Sequence, residues 1–256
     1  MKIAIVLNTY NFFDWTKESL RTLEKYTDKK WYDLYVIACG CTDGTNDFLL
    51  KKGYKVKILQ DRIGCGAGFM QGVKFARENG TYSYICPTHN DILYTEGWLE
   101  ALIVEIEHYP SCAQMGIAQV INKEALSYSD EMRNNIAKQL RENKTGFANL
   151  QPCLMKDFLF DETGYYDPNF VENECDDADY NKRICDAGYD ILSTQKGVLW
   201  HGLSIVRNTL PGIEAIKKRN QEYFKKKHNV TDFEKWNHIK VESKFIDGLP
   251  LLFYTV

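Results

Sequence analysis

Three groups of residues in this chain have side chains and spacing suited to chemistry. The first is Thr88–His89–Asn90–Asp91–Ile92, which follows an apolar run and precedes a helical stripe. A carboxylate at the end of a buried strand faces a ligand cleft. Asp91 can therefore hold a divalent cation, and Asn90 can orient a sugar or phosphate. Mg²⁺ and Mn²⁺ prefer oxygen donors and keep coordination positions open for phosphate. A turn with a helix-capping Asp is the competing reading. The second group is Glu172, Glu174, Asp176, Asp177 and Asp179, followed by Arg183. A helix starting near Asp176 puts Asp179 and Arg183 on one face, four residues apart. Its dipole favours ionised carboxylates at the start, where one can accept a proton from an attacking hydroxyl. A solvated acidic helix start is the alternative. The third is Trp200–His201–Gly202 at the end of an apolar strand, where a neutral imidazole can ligate Mn²⁺. His89 reads as pocket lining. His108, His228 and His238 lie in polar segments and receive no role.

The elements that must position these groups alternate. Ile3 to Leu7, Leu34 to Ala38, Val56 to Leu59 and Tyr82 to Cys86 read as strands, the last broken by Pro87. Asp14 caps a helix carrying Trp15, Leu20, Leu23 and Tyr26. Gly64, Gly66 and Gly68 open another, and Trp98, Leu99, Leu102, Ile103 and Ile106 form a helical stripe. Repeated strand–helix units imply a largely parallel sheet covered on both faces. The strands' C-terminal ends, Asn8–Asn11, Cys39–Thr45, Asp61–Gly68 and Thr88–Ile92, then form one cleft. Met115 to Ile121, Asp190 to Ser193 and Val198 to His201 are further strands. Ser129 to Asn143 is a polar helix, a lid or an insertion, with a thin line of Met132, Ile136 and Leu140. A basic helix runs from about Gly212 to His228.

The chain of 256 residues carries 32 Lys and Arg against 35 Asp and Glu, a formal charge of −3. That balance argues against a general polyanion-binding surface. Apolar content of 44% and charged content of 26% are ordinary globular values. No apolar stretch reaches the ~20 residues of a membrane span, and the N-terminal apolar run is too short for a signal-peptide core. The eight Cys form no Cys-x-x-Cys pair, so free thiols in a reducing, cytoplasmic setting are the expectation.

The order and spacing of these pieces resemble family 2 glycosyltransferases, over roughly residues 1 to 228. Ile3 to Asn11 looks like that family's opening strand and Thr-Tyr-Asn turn. Cys41–Thr42–Asp43–Gly44–Thr45 is similar to its Ser-Thr-Asp-Gly-Thr turn, and Gly64 to Gly72 to its glycine-rich donor loop. His89–Asn90–Asp91 sits at its metal motif. Gly164 to Asp167, then Asp176–Asp177–Ala178–Asp179 and Arg183, looks like its Gly-x-x-Asp and Glu-Asp-x-Asp-x-x-x-Arg. The resemblance implies a GT-A-type α/β fold, a Rossmann-like mixed sheet flanked by helices in a single domain with a C-terminal helical extension. Residues 1–110 would form the nucleotide-binding half and 111–228 the acceptor and catalytic half. The tail, 229–256, would pack on the core or on a partner, a homodimer being one such arrangement.

The resemblance also implies an inverting, metal-dependent transfer of a sugar from a nucleoside diphosphate. Asp177 takes the general-base position. Asp91 and His201 would hold Mn²⁺ or Mg²⁺ on the diphosphate. Asp176, Asp179 and Trp98 would shape the acceptor side. Thr9, Tyr10, Asn11, Cys39, Asp43, Arg62, Gly64, Gly66, His89 and Asn90 would line the donor. Departures from the pattern concentrate on that donor side. Ala38 and Cys39 replace the carboxylate that accepts the uracil imide proton, Phe69–Met70 replace an Arg-Asn pair, and His89 replaces the first metal carboxylate. The donor is expected to be a UDP or GDP sugar with the base open. The acceptor is expected to be a glycan, a lipid-linked precursor or another hydroxyl, with nucleic acid the remote case. The basic cluster Lys217, Lys218, Arg219, Lys225, Lys226 and Lys227 would allow peripheral approach to a membrane. A nucleotide-sugar-forming nucleotidyltransferase and a catalytically silent sugar-nucleotide binding module are the alternatives. Asn8–Thr9–Tyr10–Asn11 stands where the former carries a Gly-, Arg- and Lys-containing loop.

Overall fold

Seven buried residues in succession, Ile3–Thr9, form β1 at the centre of the sheet. Their side chains alternate between faces. Ala4 and Val6 join one apolar cluster with Phe69, Val73 and Ala76, while Ile3 and Ile5 join another with Trp98, Leu99 and Leu102. Helices therefore cover both faces. The computed structural model describes residues 1–142, 148–172, 175–202, 211–231, 233, 240–246 and 249–255. After β1 come α1 (Phe13–Tyr26), β2 (Tyr32–Cys39), α2 (Thr45–Lys51), β3 (Lys55–Leu59), α3 (Cys65–Asn79), β4 (Tyr84–His89), β5 (Ile92–Leu93) and α4 (Trp98–His108). Then follow β6 (Cys112–Ile121), α5 (Asp130–Glu142), β7 (Ala148–Lys156), α6 (Leu159–Glu162), α7 (Asp176–Asp186), β8 (Asp190–His201), α8 (Ile213–His228), β9 (Lys240–Ile246) and β10 (Leu249–Thr255).

The sheet order is β3-β2-β1-β4-β7-β6-β10-β9, with β8 alongside β6 and β5 paired to β8. Strands β3, β2, β1 and β4 are mutually parallel. The expectation of a largely parallel sheet fails beyond β4, because β7 enters antiparallel to both β4 and β6. The sequence reading contained neither β7 nor the two-residue β5. Pro87 does not break β4. It pairs in register with Val6, and the β4–β7 ladder already stops at Ile85, so its missing N–H removes no bond on that side. The two short strands expected at 190–193 and 198–201 are one strand, β8, whose register to β6 shifts between Thr194 and Val198. The C-terminal extension is not helical throughout. After α8 the backbone forms the β9–β10 hairpin, and β10 meets β6 at Ile121.

Two helices differ from expectation. Asp14 lies inside α1 and does not cap it. Phe12 precedes the helix in a left-handed conformation, and the Phe13 amide donates to Asp43 Oδ2 at 2.9 Å. Helix α5 is not a lid. Its buried Ile136, Ala137 and Leu140 pack with Trp15, Leu93 and Trp200. Arg133, 2% exposed, donates from Nη2 to Glu18 at 2.7 Å and to Asp130 at 2.6 Å, and from Nη1 to the Ala125 carbonyl. Asp130 also binds Arg21 and Lys25 of α1, which hold its carboxyl far below the usual range. A buried guanidinium removed from such a network leaves its carboxylates uncompensated. Arg133→Met is expected to lower stability by about 3 kcal/mol in urea unfolding. A change within error would mean that α5 is held by its apolar line alone.

Candidate active site

The short antiparallel pairing of β5 with the end of β8 sets Ile92 opposite His201 and Leu93 opposite Trp200. The Gly202 amide then donates to the Asp91 carbonyl at 2.8 Å. Gly202 must lack a side chain, because a Cβ there would meet the Trp15 ring at 2.9 Å and Asp91 Cβ at 3.2 Å. This clamp leaves His201 Nε2 3.4 Å from Asp91 Oδ2, with both residues buried. Burial works against the Asp91 carboxylate, but His201, His89 and the backbone amide of Asp91 together hold its pKa below the usual range. His201 Nδ1 meets Gln119 Oε1 at 3.0 Å. Among the described residues, no three His, Cys, Asp or Glu side chains converge as a metal cage. Asp91 and His201 bring together one carboxylate oxygen and one imidazole nitrogen, a donor pair of the kind that could hold Mn²⁺.

His89 forms a wall of this space. Its Nε2 lies 3.2 Å from Gln151 Oε1, its Nδ1 3.5 Å from Cys65 Sγ, and its ring edges Phe69. Gln151 Nε2 donates in turn to Tyr166 Oη at 3.1 Å. Both ring nitrogens of His89 therefore have protein partners. Burial lowers its pKa, and it lies within electrostatic reach of Asp91, His201 and Asp177.

Several residues expected on the donor staple loops to one another. Asp43 Oδ1 accepts from the Thr45 hydroxyl at 2.7 Å and the Thr45 amide at 3.2 Å, and its Oδ2 caps α1. Asn11 Oδ1 accepts from the Thr42 amide at 2.7 Å. Asn90 Nδ2 donates at 3.0 Å to the Asn11 carbonyl and to Thr16 Oγ1. Thr9 Oγ1 shares a bond with Thr16 Oγ1 and is 1% exposed. These bonds join the β1–α1, β2–α2 and β4–β5 loops. Asn11 and Phe12 sit consecutively at φ 54° and 57°, a strained conformation for such residues, and the staples maintain it.

The remaining donor-side residues lie after β1, at the end of β2 and around the start of α3. Cys39, 2% exposed, donates to Asn8 Oδ1, and burial pushes its thiol up to about 12. The Arg62 guanidinium lies over the Tyr10 ring at 4.7 Å, and its Nη2 pairs with Glu172 at 2.8 Å. Arg62 Nη1 is buried and has no hydrogen-bond partner among the described residues. Gly64 begins α3, and the next amide, Cys65, donates to the Glu172 carbonyl at 2.9 Å. Phe69, where the family pattern has Arg, is 1% exposed in the core.

Asp176 and Asp177 occupy the first turn of α7. Asp176, 6% exposed, fits against the start of α3, whose Gly66 amide donates to it. A Cβ on Gly66 would stand 2.6 Å from Asp176 Oδ2. Burial, with the charge of Asp177, pushes the Asp176 carboxyl up to about 8, so it holds its proton at neutral pH. Asp177 is half-buried beside it. Asp179 pairs with Arg183 at 2.9 Å as expected, but it is fully buried and does not reach an acceptor surface. It anchors α8 through Lys227 at 2.6 Å and His228 at 2.8 Å, so His228, read as a surface residue, is structural. Lys217 pairs with Glu214, and Arg219 donates to the Asn169 carbonyl. Half of the expected basic cluster therefore serves the fold. Trp98 is likewise core. It is fully buried against Tyr94 and donates to Thr27 Oγ1 at 2.9 Å. Gln119, Gln151 and Tyr166 went unnoticed in sequence. Gln119 alone carried a signal, as a polar residue within an apolar strand.

A family model described as glycosyl transferase family 2 matches residues 4–164. No curated protein matches the chain. Among solved structures, the mannosyltransferase PcManGT from Pyrobaculum calidifontis, in complex with GDP-Man and Mn²⁺, superposes with a TM-score of 0.60 at 14% identity, over 90% of this chain and 65% of that one. S. aureus TarS residues 1–349 gives 0.57 at 12% identity, over 88% and 69%. GalNAc-T7 with UDP, GalNAc and Mn²⁺ gives 0.60 at 14%, over 92% and 56%. The likeness at these identities is one of fold, and this chain spans less than two thirds of the first and third of those proteins.

Two outcomes follow from the geometry. Asp43→Ala removes a cap and a turn bond, and is expected to cost about 1–2 kcal/mol in chemical unfolding. Asp176 has a folded pKa above its unfolded value, so ionising it withdraws stability as pH rises. The loss is absent below about pH 4 and complete above about 8. Asp176→Asn is expected to gain thermal stability on the wild type across that window. Melting curves that run parallel across it would show that Asp176 ionises at its ordinary pKa.

Proposed function

The chain belongs to glycosyl transferase family 2, and from that premise we propose that it moves a sugar from a nucleoside-diphosphate donor to an acceptor hydroxyl with inversion. The observation that carries this reading is that the β5–β8 pairing brings Asp91 and His201 to 3.4 Å at the C-terminal end of β4, while the start of α7, with Asp176 and Asp177, packs on the start of α3 at Gly66. In this reading a base and a cation-binding pair flank a common space at the C-terminal ends of the parallel strands. Two of the fold's neighbours were solved with Mn²⁺, one with GDP-Man and the other with UDP and GalNAc.

In this reading Asp177 accepts the proton of the acceptor hydroxyl while that oxygen attacks the anomeric carbon, opposite the leaving diphosphate. Asp176 keeps its own proton at neutral pH and hydrogen-bonds Gly66, tying the catalytic helix to the glycine-rich turn. Asp91 and His201 would hold a divalent cation, Mn²⁺ or Mg²⁺, which when bound would supply positive charge to the departing diphosphate. Arg62 offers its unpartnered Nη1 to the same diphosphate, in place of the Arg that Phe69 replaces. Tyr10 and Cys39 border the nucleoside, and Cys39 supplies a thiol where a carboxylate would accept an imide proton. The acceptor is a glycan, a lipid-linked precursor or another hydroxyl. No helix among the described residues is long and apolar enough to cross a membrane, and the reading places the enzyme in the cytoplasm, free or peripheral at a membrane.

The test is a donor screen. Purified protein is incubated with UDP-, GDP-, dTDP-, CDP- and ADP-sugars and Mn²⁺, and nucleoside diphosphate release is followed. Turnover with one nucleotide class is expected, abolished by EDTA and reduced about 100-fold or more in Asp177→Asn. An Asp177→Asn variant as active as the wild type would overturn the base assignment. Binding without turnover by any donor would favour a silent sugar-nucleotide module.

A further inference from the structure

Gln119 is an amide, fully buried in the middle of β6, a strand whose residues are buried throughout. A buried amide needs partners, and its partners fix which way it faces. Its Nε2 donates to the Gln151 carbonyl. A flipped amide would set two acceptor oxygens against each other there, so Oε1 is the atom that faces His201. At 3.0 Å from Nδ1, that oxygen accepts only if Nδ1 carries a hydrogen. Parallel pairing places this bond, since β6 Ile121 stands opposite His201 and Gln119, two residues earlier, projects on the same face.

The bond matters because of what lies on the other side of the ring. Asp91 Oδ2 is 3.4 Å from Nε2. Left to this carboxylate alone, a neutral imidazole would place its hydrogen on Nε2 and donate it to Asp91. That tautomer has no lone pair facing Asp91 with which to ligate a cation. Gln119 opposes it. We propose that Gln119 is a positioning residue that holds neutral His201 in its Nδ1–H tautomer, so that Nε2 and Asp91 present two donor atoms to one divalent cation. This deepens the cation site of the proposed function and rests on that reading. Hydrogen-bonded partners that orient a metal-ligating His typically change metal affinity 10- to 100-fold when removed.

The experiment has two readouts that fail separately. The first uses no metal. Long-range ¹H–¹⁵N correlation of the imidazole nitrogens is recorded at alkaline pH, where the ring is neutral, and His201 is identified by its loss in His201→Ala. The wild type is expected to show Nδ1–H, and Gln119→Leu is expected to move to Nε2–H. An Nε2–H ring in the wild type would overturn the proposal whatever the protein catalyses. The second is titration of Mn²⁺ by electron paramagnetic resonance, in the presence of UDP or GDP. Gln119→Leu is expected to bind Mn²⁺ about 10- to 100-fold more weakly. Gln119→Glu, whose carboxyl can keep one oxygen for Nδ1–H and, when protonated, donate from the other to the Gln151 carbonyl, is expected to recover most of the affinity below the pKa of that carboxyl. A purely structural role for Gln119 would give no such rescue. Equal affinity in wild type and Gln119→Leu would overturn the positioning role. A wild type that binds no Mn²⁺ with either nucleotide would overturn the cation site itself.

Discussion

The antiparallel contact between β5 and the end of β8 is two residues long, and the arrangement of the site depends on it. It converts two side chains 110 positions apart, Asp91 and His201, into neighbours at 3.4 Å. A contact this short has little stability of its own. It is held by what surrounds it. Trp15 closes over Gly202, Trp200 is buried among Ile136, Ala137 and Leu140 of α5, and the Thr95 hydroxyl bonds the Val198 carbonyl. The Arg133 network fastening α1 to α5 therefore has a consequence for the site, because those two helices brace the clamp.

The opposite wall depends on helix starts. Asp176 lies where the beginnings of α3 and α7 meet, so backbone amides from both helices point at one carboxyl. Such a position ordinarily favours ionisation. Burial and the charge of Asp177 prevail here, and the carboxyl retains its proton near neutrality. The protonated neighbour spares Asp177 a second adjacent negative charge, which suits a base that must accept a proton and later release it. Glu172 makes a second tie between the same two regions, through its carbonyl to Cys65 and its carboxylate to Arg62.

Much of this was legible in the residues. Alternating apolar runs located the parallel strands, because a buried parallel strand is apolar on both faces. Asp91 and His201 stood out because charged or imidazole groups at the ends of apolar runs need a reason, and Asp176 and Asp177 because an acidic group opens a helix there. The antiparallel half was not legible. Strand β7 carries Asn, Gln, Pro and Lys among its apolar residues, and β5 has two residues, too few for any period to register. Trp98 was ambiguous for a physical reason. An indole at a helix start serves a pocket or a core equally well, and only the bond to Thr27 decides. Asp43, Asn11 and Asn90 carry residue types that bind ligands and brace turns with the same atoms. The loops they join are distant in sequence, so that second use could not be read from the chain. Asp179 misled similarly, since the side chains that bind it, Lys227 and His228, lie almost 50 residues further on.

The central claim is that the β5–β8 clamp builds a two-ligand cation site beside the base. Anomalous diffraction from crystals of the protein soaked with Mn²⁺ and a nucleoside diphosphate tests it most directly. The account predicts one manganese peak bridging Asp91 Oδ2 and His201 Nε2, about 2.0–2.3 Å from each, with phosphate oxygens on its open side. A peak bound elsewhere, or nucleotide bound in the cleft with no manganese between Asp91 and His201, would contradict it.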